Sequence, residues 1–412
     1  MSKSKIVIAA EIFPPDIGGP ATYSKNLAEE LNNRGFDAKI ICYSDKIESD
    51  KSNFEIVRIL RGGSRSARYF FYFWNLLKMS FRCDVIYAMG PVSSGLPSLL
   101  AAYILNKKVV VKVVGDYAWE QARNSGLTDM GIDEFQNQKL TGKILWLKRI
   151  ESFVCRHSDK VIVPSRYLKK IVKGWKVQND KIDIIYNSFS LSHPPFFSRQ
   201  TARQELEFSD KDFLIVSMGR PVSWKGFGLL SMVVADLKRK EIPEIKLRIL
   251  GVNAGDQIER LIRLYNDKAV FENHRTSDGK TARILRVDDY SVPFEDPALG
   301  TQTKEMAYKY LAAADIFVLN SGYEGLSHAI LEALSLGIPV IASDVGGNPE
   351  LITDGTDGLL IGYNNKDQLK QSILKLYGNK SLRQKLVGNS KEKLKRFSSE
   401  NMIQKTTEVL LK

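Results

Sequence analysis

Short β-branched runs alternate with helix-patterned stretches along this chain, and the alternation happens twice. "KIVIAA" (Lys5–Ala10) reads as a short buried strand. Ala21–Arg34 then has helical spacing, with Tyr23, Leu27 and Leu31 recurring every four residues, and Gly35 ends it. "AKIICY", "DVIYAM" (84–89), "VVVKVV" (109–114), "KVIVPS" (160–165) and "KIDIIY" (181–186) repeat the strand signal, with helical patterns between them. The stretch "NSFSLSHPPFFSRQ" (187–200) interrupts the alternation with Pro194–Pro195, several serines and no charge before Arg199, as a linker does. The pattern then restarts with "FLIVSMG" (213–219), "KLRILG" (246–251), "DIFVLN" (315–320), "IPVIAS" (338–343) and "GLLIG" (358–362). Such alternation predicts a parallel, doubly wound α/β sheet. The 412 residues are too many for one ordinary core. Two α/β domains of similar size are therefore expected, over 1–190 and 200–395, with a helical, lysine-rich end from Lys366 to Lys412.

Composition narrows the class. With 43% hydrophobic and 26% charged residues the chain is a folded one, soluble or peripheral. Cys42, Cys83 and Cys155 lie far apart, an odd count with no disulfide framework, which fits a reducing cytoplasm. The four histidines are not near neighbours, so a His-based metal site is not expected. The apolar run before Glu11 is too short for a signal peptide, and Val92–Leu105, broken by Gly95 and Pro97, is too short to span a bilayer. The formal charge of +13 suggests an anionic partner: nucleic acid, a membrane surface or a phosphorylated substrate. No nucleic-acid-binding module is recognisable.

In doubly wound sheets, ligands bind outside the carboxyl ends of the strands, and facing domains would make a cleft between two sets of such ends. The notable residues sit there. After the first strand, "FPPDIGGPATY" places Gly18 and Gly19 before a helix expected to start near Ala21. Glycine permits close backbone approach and the helix N-terminus offers N–H groups to an anion. After the first strand of the second half, "MGRPVSWKGF" places Arg220 and Lys225 before a helix opened by Gly226, in the manner of a diphosphate clamp. "EGLSHAILEALSLGIP" (324–339) follows "DIFVLN", with a helix expected from Gly325. Glu324 and Glu332, eight residues apart, would stand about 12 Å from each other along a helix axis, beyond the about 5–9.5 Å of glycosidase carboxylate pairs. An extended ligand could meet both, with the N–H groups of Gly325, Leu326 and Ser327 beside a phosphate. "SDVGGNPELI" (343–352) repeats the strand–Gly-Gly–helix arrangement with Gly346, Gly347 and Glu350.

Together "FPPDIGG", "GRPVSWKG", "EGLSHAILEALSLGIPVIASDVGGNPELI" and "DGTDGLLI" resemble glycosyltransferase family 4, retaining nucleotide-sugar enzymes of GT-B fold. The likeness runs over most of the chain and is most specific from Ser321 to Gly362. It implies an α/β fold of GT-B type, two doubly wound Rossmann-like domains facing a central cleft. The last helix, 396–412, would cross back onto the first domain. The resemblance assigns Arg220 and Lys225 to the donor diphosphate, Glu324 to the donor sugar and Glu332 to the ribose hydroxyls. It has the Gly18–Gly19 loop close over the phosphates. It implies no metal and no cofactor, with a UDP- or GDP-sugar as donor and a sugar or lipid-linked glycan as acceptor, in polysaccharide biosynthesis. The Asp210-Lys211-Asp212 pattern precedes a strand and is read as chance. Where members often carry a histidine, this chain has "VVGDYAWEQAR"; Asp116 is expected either to contact sugar or acceptor, or to cap a helix. Residues 271–304 are longer and more polar than the usual base-binding region, and His328 falls one turn after Glu324. A sugar-nucleotide epimerase or hydrolase of the same fold, and a non-catalytic nucleotide-binding subunit, are the alternatives.

Between Glu55 and Asp84 the chain has no acidic residue but carries Arg58, Arg61, Arg65, Arg68, Lys78 and Arg82 beside "YFFYFWNLL". A basic helix with aromatics can lie on an anionic membrane, giving peripheral contact through 58–82 at the inner face; otherwise the aromatics are core and the arginines solvated. Ten Lys/Arg against two Asp/Glu in Lys366–Arg396 read as a solvated face.

Overall fold

The computed structural model describes residues 4–16, 18–46, 52–189, 198–220, 222–251, 269–275, 281–287, 290–294 and 300–412; between 269 and 304 it describes the backbone alone. The chain divides into two compact units, one of Met1–Asn187 with Ser399–Lys412 and one of Ser188–Ser398. The stretch read as a linker falls mostly outside the described residues, at 190–197.

The first unit runs β1 (Lys5–Ala9), α1 (Gly19–Asn33), β2 (Asp37–Ser44), β3 (Ile56–Leu60), α2 (Arg65–Ser80), β4 (Val85–Ala88), α3 (Gly95–Leu105), β5 (Lys108–Lys112), α4 (Tyr117–Asn124), α5 (Ile132–Phe135), α6 (Gly142–His157), β6 (Lys160–Val163), α7 (Arg166–Gly174) and β7 (Ile182–Ile184). Its seven strands are parallel in the order β3-β2-β1-β4-β5-β6-β7. The order reverses between β1 and β4, the topological switch point of a doubly wound sheet. Successive strand residues point to opposite faces. Ile6 and Ile8 pack with Leu27 and Leu31 of α1, while Val7 and Ala9 pack with Tyr72 and Leu76 of α2, Ala101 of α3 and Val154 of α6. Both faces are covered, which is why these strands read as unbroken apolar runs. The edge strand β3, "IVRIL", was not foreseen; Arg58 at its centre breaks the apolar run.

The second unit runs α8 (Arg199–Glu205), β8 (Phe213–Met218), α9 (Phe227–Lys240), β9 (Ile245–Leu250), β10 (Ala269–Arg275), β11 (Thr281–Val287), β12 (Tyr290–Phe294), α10 (Gly300–Ala313), β13 (Ile316–Leu319), α11 (His328–Ser335), β14 (Val340–Ser343), α12 (Asn348–Leu351), β15 (Leu359–Ile361), α13 (Lys366–Tyr377) and α14 (Lys380–Leu394). Its parallel sheet has the order β15-β14-β13-β8-β9, with the reversal between β8 and β13. The polar segment 271–304 contributes an antiparallel three-stranded sheet, β10-β11-β12, which the strand pattern did not announce.

The last helix, α15 (Ser399–Leu411), belongs to the first unit. Met402, Ile403 and Leu410 enter the core beside Leu27 and Leu31. Polar contacts fix both ends. Arg34 donates to Glu400 at 2.7 Å near the N-terminus, and Lys108 Nζ donates to the carbonyls of Val409 (2.8 Å) and Leu410 (3.2 Å) at the C-terminus. Acid at the start and cation at the end each match the helix dipole, and the lysine satisfies carbonyls that have no partner within the helix. Between them the Tyr23 hydroxyl lies 3.1 Å from that of Tyr87 and 3.4 Å from Thr406 Oγ1. The Tyr23 ring covers the fully buried Lys112 amine at 3.6 Å, and burial lowers that amine's pKa. Ile403→Ala should cost about 2–4 kcal/mol in denaturant unfolding, as removal of a packed core side chain does. A loss well under about 1 kcal/mol would contradict the docking of α15.

Candidate active site

In the second unit, three loops meet at the carboxyl ends of β8, β13 and β14. After β8 the chain passes through the exposed Arg220 into a short 3-10 turn, Ser223–Lys225, with Trp224 buried beneath it. Gly226, at φ +63°, then caps α9. A Cβ on Gly226 would lie 2.0 Å from the Asn320 carbonyl oxygen, so only glycine allows the β8 and β13 loops to touch this closely. Asn320 is almost completely buried. Its Nδ2 donates to Gly226 O (3.2 Å) and Asn364 Oδ1 (3.0 Å), and its Oδ1 accepts from Asn364 N (3.0 Å). The Gly322 N–H donates to Trp224 O at 2.6 Å.

The β14 loop closes from the other side. Gly346 has φ +58°, and its Cβ position is 2.1 Å from Glu324 O; that of Gly347 is 2.3 Å from Gly325 O. The Gly347 N–H donates to Glu324 O at 2.8 Å. The loop after β13 is thus gripped from both sides, by the β8 loop at Asn320 and Gly322 and by the β14 loop at Glu324 and Gly325. The result is a direct ion pair, Lys225 Nζ to Glu324 Oε1 at 2.5 Å, with both side chains mostly buried. It lies at the switch point between β8 and β13.

The helix after Glu324 begins later than expected. It starts at His328 rather than Gly325, because the Ser327 hydroxyl accepts from the Ile330 N–H at 3.3 Å and serves as N-cap. Gly325 and Leu326 therefore belong to the loop, with Leu326 buried. The 12 Å spacing inferred for a continuous helix does not apply across this loop. Glu332 does lie mid-helix, half-buried. Burial and the neighbouring Glu332 carboxylate both push the Tyr308 hydroxyl up from its ordinary pKa. His328 is half-buried at the first position of α11. The segment 271–304, including 276–280, 288–289 and 295–299, lies outside the described residues or is described by backbone alone.

In the first unit, Gly18 and Gly19 open α1, which begins two residues before the expected Ala21 with Pro20 in its first turn. Asp116 caps a helix. It has no exposed surface; one carboxylate oxygen accepts from the Trp119 N–H at 2.9 Å, and the other from Gln136 at 2.9 Å and from Lys148. Its neighbour Glu151, also fully buried, accepts from the Tyr117 N–H at 2.6 Å; burial, then the Asp116 charge, hold its pKa well up. Nor do Arg58 and Arg61 lie on a basic helix. Arg58 on β3 donates to Pro14 O at 2.7 Å, and Arg61 just after it pairs with Asp16 and Asp45, so both brace the loop that carries the Gly-Gly turn.

One residue here was not foreseen. Glu11, two positions past β1, sits at this unit's switch point, its Oε1 2.5 Å from where a Gly90 Cβ would be. Burial raises its pKa to about 7, against the pull of the Ser93 and Ser94 loop that faces it. The signal was available, since a glutamate directly after a buried strand is placed at a sheet's ligand edge.

Two family models match the chain. Residues 17–193 match Glycosyltransferase Family 4, and residues 198–284 with 298–393 match Glycosyl transferases group 1. The two models together take in most of the chain, and it belongs to these glycosyltransferases. An uncharacterized glycosyltransferase of Methanocaldococcus jannaschii is 26% identical over 97% of this chain and 95% of its own. A UDP-Gal:α-D-GlcNAc-diphosphoundecaprenol α-1,3-galactosyltransferase of Escherichia coli is 25% identical over 92% of this chain and 90% of its own. The solved sucrose-phosphate synthase of Thermosynechococcus elongatus superposes with a TM-score of 0.74 at 18% identity, covering 99% of this chain and 98% of that one, and shares the GT-B fold. Among the described residues no helix is long and apolar enough to cross a membrane.

The raised pKa of Glu11 predicts that stability depends on pH. Its folded pKa lies above the ordinary 4.5, so the native state holds the extra proton between about 4.5 and about 7. Stability from this group is present at the acid end and falls by up to about 3 kcal/mol as pH rises through 7. Glu11→Gln should flatten that fall in a pH series of melting temperatures; an unchanged slope would contradict the assignment.

Proposed function

We propose that this glycosyltransferase is a retaining hexosyltransferase. It moves a sugar from a UDP- or GDP-sugar to a hydroxyl of a sugar or lipid-linked glycan in polysaccharide biosynthesis. The observation that carries this reading is the Lys225–Glu324 ion pair at the switch point, with Arg220 beside it in the same loop. In the free protein Glu324 holds the Lys225 ammonium in place. A donor diphosphate, with two or more negative charges, draws that cation to itself and leaves the Glu324 carboxylate to accept hydroxyls of the donor sugar. Glu332, on the next helix, receives the ribose hydroxyls, and the N–H groups of Gly325, Leu326 and Ser327 face the phosphates.

The acceptor oxygen attacks the anomeric carbon on the face from which the diphosphate departs. The bond from the anomeric carbon to phosphate oxygen breaks, its electron pair stays on the diphosphate, and that oxygen takes the acceptor proton. Arg220 and Lys225 stabilise the charge that grows on the leaving group, so the reaction on this reading needs no metal. The name of the Escherichia coli relative gives a UDP-sugar donor and a diphosphate-linked lipid acceptor, which supports the same class here. Such an acceptor places the enzyme on the cytoplasmic side of a membrane, in peripheral contact with it near residues 58–82.

Arg220→Ala, Lys225→Ala and Glu324→Ala should each lower the rate of transfer by about a hundredfold or more while the circular dichroism spectrum is kept. Full activity in all three would remove the assignment.

A further inference from the structure

The helices α2, α3 and α6 stand side by side over one face of the first sheet. Their inner sides bury Tyr72, Leu76, Ala101, Val154 and Cys155. Their outer sides are also apolar, which a solvated helix layer does not require. On α2, Phe70 is 60% exposed and stacks on the exposed Trp74 at 6.4 Å between ring centroids. On α3, Tyr103 is 88% exposed, with Ile104 beside it, and on α6 Trp146 is 64% exposed, with Phe153 further along the same side. Scattered single hydrophobics on a surface need no explanation, but a set of large ones across three adjoining helices does.

The charge on this layer has one sign. The three helices contain a single acidic residue, Glu151, and it is fully buried against the Tyr117 and Ala118 N–H groups. Asp84, the one acid between Glu55 and Asp116, accepts from the Lys5 N–H at 2.8 Å. Exposed Arg65, Lys78, Arg82, Lys143, Arg149 and Arg156 rim the aromatics. The opposite face of the same sheet is different: α1 and α15 carry Glu29, Glu30, Glu400 and Glu408 among their lysines. The asymmetry argues against a general solubility charge, which would not choose a face.

We infer that the first unit seats on an anionic lipid bilayer through the outer side of α2, α3 and α6, with Phe70, Trp74, Tyr103 and Trp146 in the headgroup–acyl boundary and the basic rim on lipid phosphates. Amphipathic aromatic rings favour that boundary, and each Lys or Arg near an anionic surface adds to the attraction. This deepens the membrane contact proposed above and moves it. Arg58 and Arg61 are tied to Pro14 and Asp16, and the contact extends instead to α3 and α6, which the basic stretch 58–82 does not include. It stands apart from the donor chemistry, because none of these side chains belongs to the Lys225–Glu324 site.

The test is co-sedimentation of the full chain with vesicles of phosphatidylcholine, with and without phosphatidylglycerol. Three proteins are compared: the unaltered chain, Phe70→Ser with Trp74→Ser, and Tyr103→Ser with Trp146→Ser. The expected result is binding to the anionic vesicles that weakens with salt and falls about tenfold or more in each double variant, while thermal stabilisation by nucleotide sugars is unchanged in both. Failure of the unaltered chain to bind anionic vesicles would overturn the inference. So would full binding by the Tyr103/Trp146 variant. Self-association that these substitutions abolish, without vesicle binding, would assign the face to a second copy instead. Loss of nucleotide-sugar stabilisation in the unaltered chain would count against the proposed function and leave the vesicle result to be read by itself.

Discussion

Backbone touching backbone at three glycines holds the candidate site together. Gly226 lies under the Asn320 carbonyl, and Gly346 and Gly347 lie on the carbonyls of Glu324 and Gly325. Each approach is closer than any Cβ permits, and two of the three residues have positive φ. Because the loops after β8, β13 and β14 are in contact, Lys225 and Glu324, 99 residues apart in sequence, form one ion pair. The short hydrogen bonds from Gly322 to Trp224 and from Gly347 to Glu324 then fix the loops in register. Breaking such a mostly buried pair by removing one partner leaves a charge uncompensated, and so the pair demands that both loops be rigid. Rigidity of this kind is what positioning a leaving group requires.

Much of the fold was legible, because a parallel sheet covered on both faces leaves its strands as apolar runs. β1, β2, β4, β5 and β6 each coincide with a run read from sequence to within a residue or two at the ends, and so do β8, β9, β13, β14 and β15. The edge strand β3 was not, since Arg58 interrupts it. The antiparallel sheet β10–β12 was not, since its segment is polar and lacks the two-sided apolar signature. The start of α11 was misplaced because Gly325 looked like a helix opening, whereas the cap is made by Ser327. The glycines, Arg220, Lys225 and Glu324 could be read from their places after strands, and Glu332 from its spacing along the helix that follows Glu324. Asn320, which bonds to both Gly226 and Asn364, was not, because sequence does not reveal a partner 44 residues away.

The acids of the first unit show why Asp116 was ambiguous. A carboxylate just past a strand can face a ligand or can satisfy the N–H groups of the helix that follows, and the local chemistry is the same. Here Gln136, Lys148 and the Trp119 N–H occupy Asp116 completely. Asp16 is spent on Arg61, Asp84 on the Lys5 N–H, and Glu151 on Tyr117 and Ala118. Glu11 differs in standing at the switch point with a raised pKa. With Glu151, the one acid of α2, α3 and α6, buried, the outer side of these helices is left basic and aromatic.

The account turns on a nucleotide-diphosphate sugar bound at the carboxyl ends of β8 and β13. Calorimetric titration of the full chain with UDP- and GDP-sugars tests this most directly, with Lys225→Ala and Glu332→Ala measured beside it. The account predicts stoichiometric binding of at least one donor, a loss of about tenfold or more in affinity with Lys225→Ala, and a weaker affinity for the free nucleotide with Glu332→Ala. Binding that neither substitution changes, or no binding of any nucleotide sugar, would contradict it.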